Sequence, residues 1–355
     1  MKKSMKLILA LVLALPQALM GSGTALAAEP VPKVIRFGGF GQGFGKPSGL
    51  ALLAIAQNKN FIAEEFRGEP VEFTFEYFIG VGPAINEALA NNRLDFAQYG
   101  ALPNIIGRAG GLPTRLLSSY GATTIFGVAA KGSEIRNFSD LRGKRVAVNK
   151  GTILHWALLS ALRENGLTLG DVHLIDLKAA DQLAALTAGS VDAAIGSSSL
   201  LTLRDQGTAE IFYRSDSIGP QANGFGAIVV SERFWREYPE ATRKVAKGLV
   251  KAAHWLGDEA NKEEAIRIWA QSGVSEAHLR EEFEGVPLRS LFNPRFDPFL
   301  IGQYEDAVAF SREERLIRND VDVENWVLAE PVERAVAELA LTEFWPSRPA
   351  RANTR

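Results

Sequence analysis

The chain has 355 residues, 46% hydrophobic and 23% charged, with a formal net charge of −2 and no cysteine. Such an ordinary balance argues against long disorder, and mild acidity against a nucleic-acid or anionic-membrane partner. The missing cysteine excludes disulfides, thiolate metal sites, cysteine nucleophiles and a cysteine-linked lipid anchor.

The first residues carry an export signature. Lys2, Lys3 and Lys6 precede the apolar run Leu7 to Leu15, Pro16 and Gly21 break any helix, and Ala25-Leu26-Ala27 is a small-x-small cleavage pattern. The run is too short to span a bilayer, which needs about 20 residues. The expectation is a signal peptide at 1–27, cleaved after Ala27, and a periplasmic mature chain with no membrane insertion of its own. Cleavage removes three lysines and no acid, taking the charge from −2 to −5. The remaining length exceeds what one core usually serves, so two lobes are expected.

Val34 to Gly38 reads as a buried strand, followed by a glycine-rich loop and a helix over Ser48 to Asn58 with Ser48 as its N-cap. Val71 to Phe78 is the clearest strand, rich in β-branched and aromatic residues. Gly82 to Asn91 has helical spacing and Phe96 to Tyr99 is a short strand. The same rhythm restarts with a strand over Ile125 to Ala130 and a helical turn over Phe138 to Gly143. A strand over Arg145 to Asn149 and a helix over Thr152 to Asn165 follow. Val172 to Leu177 is a strand, Asp181 to Ala188 a helix and Ala193 to Ile195 a strand. Alternation of this kind specifies α/β lobes, each with a mostly parallel sheet flanked by helices.

Two stretches repeat in register. Residues 88–100 read ALANNRLDFAQYG and residues 185–197 read ALTAGSVDAAIGS. Each carries Ala-Leu in a last helical turn, then a residue that tolerates left-handed backbone (Asn92, Gly189), then an apolar-Asp pair (Leu94-Asp95, Val191-Asp192) leading into a strand. Two related lobes are the expectation. After a last strand over Ala227 to Val230, Ser231 caps a largely helical C-terminal third, with helices expected at 238–256, 259–271, 275–283, 298–315 and 330–341.

Three stretches resemble the sulfonate, taurine and nitrate family of periplasmic solute-binding proteins of ABC importers. They are GPAINEALANNRLDFAQYGALPNI, KGSEIRNFSDLRGKRVAVNKGTILHWALLSALRENGL and GQYEDAVAFSREERLIRNDVDVENWV. The spacing of Leu186, Gly189, Asp192 and Ala193 adds to the likeness. The resemblance implies a two-lobed Venus-flytrap fold of type II, with lobe I at 34–124 plus 226–345 and lobe II at 125–225. A flexible tail would follow at 346–355. Crossings near Thr123-Thr124 and Gln221 to Gly226 would act as hinges, with Gly219, Gly224 and Gly226 absorbing rotation and Thr123 and Asn223 facing the ligand. The resemblance further implies a monomer that delivers a small organic anion, a sulfonate, to an inner-membrane permease, without a cofactor.

Open α/β sheets bind ligands beyond the carboxyl ends of their strands, and the loops at those places supply the other candidates. Asn149-Lys150-Gly151-Thr152 ends a strand at a helix start, where free N–H groups and the helix dipole favour an anion. Lys150 adds charge, Gly151 allows close approach, Thr152 caps, and His155 one turn in can donate to an oxyanion. Gly100-Ala101-Leu102-Pro103 is the counterpart in lobe I. The loop Gln42-Gly43-Phe44-Gly45-Lys46 is not a phosphate loop, because Pro47 follows Lys46. It leaves room for a ligand's organic end, with Phe40 or Phe44 as a wall. Ser197, Ser198 and Ser199 offer hydroxyls where many relatives carry an acid, which argues against an amino-sulfonate. Trp156 and Trp235 read as core.

An enzyme on this scaffold lacks support. A similar desulfinase depends on a cysteine, no helical zinc pair exists among His155, His173, His254 and His278, and no Gly-x-Ser-x-Gly elbow is present. A neutral heterocycle as ligand, and an exported sensor for a membrane receptor, are the alternative readings.

Overall fold

The computed structural model describes residues 30–42, 48–79 and 81–350. The signal peptide at 1–27, the candidates Phe44 and Lys46, and residues 351–355 of the tail lie outside the described residues.

Two five-stranded sheets organise the chain. The first has the order β2 (Glu72–Phe78), β1 (Val34–Phe40), β3 (Phe96–Gly100), β10 (Gly224–Ser231) and β4 (Thr114–Thr123). The second has the order β7 (His173–Asp176), β6 (Arg145–Val148), β8 (Ala193–Gly196), β5 (Phe126–Ala130) and β9 (Ala209–Arg214). In each sheet three strands run parallel, and the fourth in line is antiparallel to both its neighbours. The reversed strands are β10 and β5, which open the stretches that follow the two passages between sheets. Reversal at those places comes from the crossovers themselves.

The helices, in chain order, are α1 (Ala51–Asn58), α2 (Phe61–Glu64), α3 (Val81–Ala90), α4 (Ala101–Ala109), α5 (Ile153–Glu164), α6 (Ala179–Thr187) and α7 (Leu201–Asp205). They continue with α8 (Glu232–Glu237), α9 (Pro239–Leu256), α10 (Lys262–Ala270), α11 (Glu276–Glu282), α12 (Leu288–Leu291), α13 (Pro298–Glu313), α14 (Val323–Trp326) and α15 (Glu330–Glu338). Every long helix expected in the C-terminal third is present. Ser231 caps α8 by accepting from the Phe234 N–H at 3.2 Å. Ser48 does not cap α1, whose N-cap position is Leu50.

The sequence repeat is a repeat of bonding. In the first sheet Arg36 donates its backbone N–H and its Nε to Asp95 Oδ2, Nη2 to Asp95 Oδ1, and Nη1 to the Asn92 carbonyl. In the second, Arg145 donates N–H and Nε to Asp192 Oδ2, and Nη2 to Asp192 Oδ1 and to the Gly189 carbonyl. Asn92 (φ 54°) and Gly189 (φ 67°) both hold the left-handed turn that presents the carbonyl. The apolar-Asp pair therefore locks a helix end to the edge of a strand in both halves.

Apolar cores lie on both faces of each sheet. One packs α1, α9, α10 and α15 against the first sheet, and its other face carries α3, α4 and α13. Two smaller cores sandwich the second sheet. Trp156 on α5 belongs to both halves: it packs on the second-sheet core and meets Phe225 and Phe310 edge-on at 5.6 and 6.3 Å. Core it is, as expected from sequence, but core shared between lobes. The tail is less loose than expected. Arg348 closes a fork on buried Asp297 (Nε to Oδ2 2.6 Å, Nη2 to Oδ1 3.1 Å) and lies over Phe299.

Candidate functional site

A cavity of about 120 Å³ lies between the two sheets. Its walls come from the C-terminal ends of strands and the first residues of the helices that follow. Five helices contribute their starts: Leu50 before α1, Val81 of α3, Gly100 before α4, Thr152 and Ile153 of α5, and Ala179 of α6. The N–H groups of a first helical turn have no partner within the helix, and its dipole is positive there. Ala51 and Val81 hold positive φ values of 61° and 49° at two of these starts. Such backbone is uncommon for residues with a Cβ and concentrates at functional sites.

One wall is apolar. Phe40 and Tyr120 meet edge-on at 5.8 Å, and Leu50 and Ile79 extend the surface. The polar lining consists of Gln42, Thr123, Asn149, Thr152, Gln182, Ser197, Ser198 and Glu282. Among the described residues no lysine, arginine or histidine lines the cavity. Among the described residues, the groups that can meet an anion there are helix starts and neutral donors.

Of the residues expected from sequence, Phe40, Gln42, Gly100, Thr123, Thr152, Ser197 and Ser198 line the cavity. The other described candidates lie off the cavity wall. Ala101 and Leu102 are fully buried behind Gly100, because the helix turns their side chains into the core of the first sheet. Lys150 is exposed, its N–H held by Asp176 Oδ1 at 2.9 Å. Gly151 (φ 70°) forms the turn into α5 instead of a wall. Thr152 occupies the N-cap position without capping, and its hydroxyl donates back to the Asn149 carbonyl at 2.7 Å. His155 is rotated off the cavity by the helical step. Its Nδ1 accepts from the Gly151 N–H at 3.4 Å, and burial, reinforced by Lys150, pulls its pKa below the usual histidine value. Through Nδ1 the ring braces the Lys150–Thr152 turn, while its buried Nε2 has no hydrogen-bond partner among the described residues.

Asn223 also lies behind the cleft. Its Oδ1 accepts from Ser215 Oγ (2.7 Å), which accepts from the Ile125 N–H (2.9 Å), so Asn223 ties the two crossings together. Gly226 is required by contact: a Cβ there would stand 2.4 Å from the Tyr99 carbonyl oxygen. It lets β10 press on β3.

Sequence reasoning missed Tyr120, Gln182 and, above all, Glu282. The last residue of α11 comes from the helical C-terminal third, yet its carboxyl enters the cavity beside Ser198. It accepts from the Thr124 N–H at 3.1 Å and from the Ser198 hydroxyl. Burial pushes its pKa up to about 7. No periodicity signals this, because the contact depends on where α11 lands. The rest of α11 also grips the second lobe: His278 Nε2 meets Asp205 Oδ2 at 2.7 Å, and Glu281 accepts from Arg204 at 2.5 Å and Arg214 at 3.1 Å.

A cleft between two α/β lobes, ringed by helix starts and closed by contacts across it, defines the periplasmic-binding class of fold. The chain belongs to the NMT1/THI5-like family, which it matches over residues 81–262. It is 30% identical over 209 residues to a Bacillus subtilis (strain 168) protein named as an aliphatic sulfonates-binding protein. That match takes in 58% of this chain and 62% of the relative, so it spans less than two thirds of the relative's length. The periplasmic sulfonate-binding protein SsuA from Methylobacillus flagellatus KT superposes with a TM-score of 0.79 at 28% identity, covering 90% of this chain and 98% of that one. The desulfurization enzyme DszB shares the fold (TM-score 0.63, 18% identity, 87% and 100% covered). No described helix is long and apolar enough to cross a membrane.

Proposed function

We propose that the chain is an extracytoplasmic solute-binding protein that captures a small organic sulfonate between its lobes and hands it to an ABC importer. The observation that carries this reading is the ring of five helix starts around a small cavity with one apolar wall. A tetrahedral anionic head suits the N–H groups, and a short organic tail suits Phe40 and Tyr120. The likeness to SsuA over nine tenths of the chain supports the same reading.

In this reading residues 1–27 direct export and leave after Ala27. Lobe I is formed by 34–124 and 226–345, lobe II by 125–225, and the two rotate about the crossings at Thr123-Thr124 and Gln221 to Gly226. The protein acts as a monomer without cofactor or catalysis, and only the closed form docks on the permease. The absence of cysteine, which the sequence establishes, removes the nucleophile a desulfinase of this fold would need.

The test is a thermal-shift screen of the chain from Ala28 onward against alkanesulfonates, aromatic sulfonates, nitrate, sulfate and pyrimidines. A ligand present at 100 times its dissociation constant stabilises the folded state by about 2.7 kcal/mol, a shift of a few degrees. A response to sulfonates alone is the expected result. Silence from every anion, with a response to a pyrimidine, overturns the sulfonate reading.

A further inference from the structure

The cleft is electrically two-sided. Five helix starts make most of its wall attractive to negative charge, while among the described residues a single acid, Glu282, enters at the floor where the chain crosses between lobes. Glu282 is 6% exposed. Of the roughly four acceptor sites on a carboxylate, the Thr124 N–H and the Ser198 hydroxyl occupy two. Arg214 is the basic group that acts on it electrostatically, but that guanidinium is engaged with Asp216 (2.8 Å) and Glu281 (3.1 Å). Asp216 itself opposes ionisation of Glu282. One turn earlier on α11, His278 Nε2 is engaged by Asp205 Oδ2. Among the described residues no cation is dedicated to this carboxyl, and burying it ionised is costly.

A ligand bearing only a negative group would leave that carboxyl either repelling it or protonated. A ligand that also carries a protonated nitrogen satisfies both halves of the cleft at once. We propose that Glu282 is a specificity-determining residue, whose carboxylate receives a cationic nitrogen of the ligand, so that the cleft prefers amino-sulfonates over alkanesulfonates of equal length. The inference rests on the sulfonate reading above and refines it. It reverses the expectation drawn from Ser197 to Ser199: the acid absent from that loop is supplied across the hinge, beside Ser198. Glu282 and the helix starts line the same cavity, so the nitrogen stands a short spacer from the sulfonate.

The experiment is calorimetric titration of the chain from Ala28 onward with two matched pairs, ethanesulfonate against 2-aminoethanesulfonate and propanesulfonate against 3-aminopropanesulfonate. Each is run near pH 6.5 in two buffers of different ionisation enthalpy, so that proton release is counted. The unmodified chain is expected to bind the amine member about tenfold tighter or more, as for a charge-assisted hydrogen bond, with release of a fraction of a proton. Glu282→Gln, which keeps an acceptor for Thr124 and Ser198, is expected to bind both members of a pair within about twofold and to release none. Equal binding of both members by the unmodified chain overturns the inference and leaves the sulfonate reading standing. A preference that survives in Glu282→Gln overturns it as well, as does proton uptake on binding. If neither series binds, this inference falls, and the wider screen above decides the sulfonate reading. Should Glu282→Gln fail to fold, the affinity ratio and the proton count of the unmodified chain decide alone.

Discussion

Truncating Asp95 and Asp192 to alanine perturbs the same motif in two settings, and the structure says that the costs differ. Asp95 has a side chain 2% exposed and takes four donors: the Arg36 N–H (3.0 Å), Nε (2.9 Å) and Nη2 (2.8 Å), and Arg233 Nη2 (2.8 Å). Asp192 is 30% exposed and takes three donors, all from Arg145. Breaking a fully buried pair costs about 3–5 kcal/mol because the remaining charge is stranded. Arg36 and Arg233 are 34% and 43% exposed and recover some hydration, which places Asp95→Ala near the lower end, about 3 kcal/mol. Water already reaches both partners of the Arg145–Asp192 pair, so Asp192→Ala should cost about 1 kcal/mol. Urea unfolding followed by far-UV circular dichroism, which reports both lobes, measures the two. The Asp192 cost should also shrink in acid. Arg145 holds that carboxyl below its ordinary value, so its contribution is present above the unfolded pKa and is lost as pH falls through the folded one. Equal costs for the two variants, or a larger one for Asp192→Ala, would show that burial does not set the strength of this lock.

Further outcomes follow from single contacts. The Glu282 carboxyl binds its proton more tightly folded than unfolded between 4.5 and about 7, so stability falls as pH rises through that window, by about 3 kcal/mol in all. Glu282→Gln should therefore unfold at a higher temperature than the parent at pH 8 and not at pH 4; calorimetric scans with no such divergence contradict this. At Gly100 an added Cβ stands 2.9 Å from Ile153 Cβ across the cleft, while the backbone (φ −65°, ψ 160°) suits alanine. Gly100→Ala should leave thermal stability within about 1 kcal/mol and lower ligand affinity about tenfold, and unchanged affinity in titrations would refute closure through that contact. Glu281→Ala frees Arg204 and Arg214 from α11, pairs that are roughly a third exposed and individually weak. Small-angle scattering should then show a larger radius of gyration without ligand; an unaltered profile would mean that the Glu281 pairs do not hold the lobes together.

The elements were legible because their signals are local. Val71 to Phe78 is rich in aromatic residues that alternate with polar ones wherever it lies, and the C-terminal helices carry their own caps and spacing. The repeat at 88–100 and 185–197 was legible because Asn92 and Gly189 must each hold a left-handed turn. Even the arginines that complete it, Arg36 and Arg145, sit on strands the sequence already marks. About half of the candidate site residues reached the cavity, those that end a strand or begin a helix. Three of the others are placed off it by rotation: a helical step of 100° carries Ala101, Leu102 and His155 into core or turn while their neighbours face the cleft.

The sequence by itself determined the alternating α/β order, the duplicated helix-to-strand lock, the helical last third and the lack of any thiol chemistry. Each depends on residues close in the chain, or on a residue type absent from it. Tertiary structure alone decided what meets across the cleft. Glu282 beside Ser198, Trp156 against Phe225, Gly100 against Ile153 and Arg348 on Asp297 join segments far apart in sequence. Their partnership follows from how two lobes and a returning chain pack, which no local periodicity encodes.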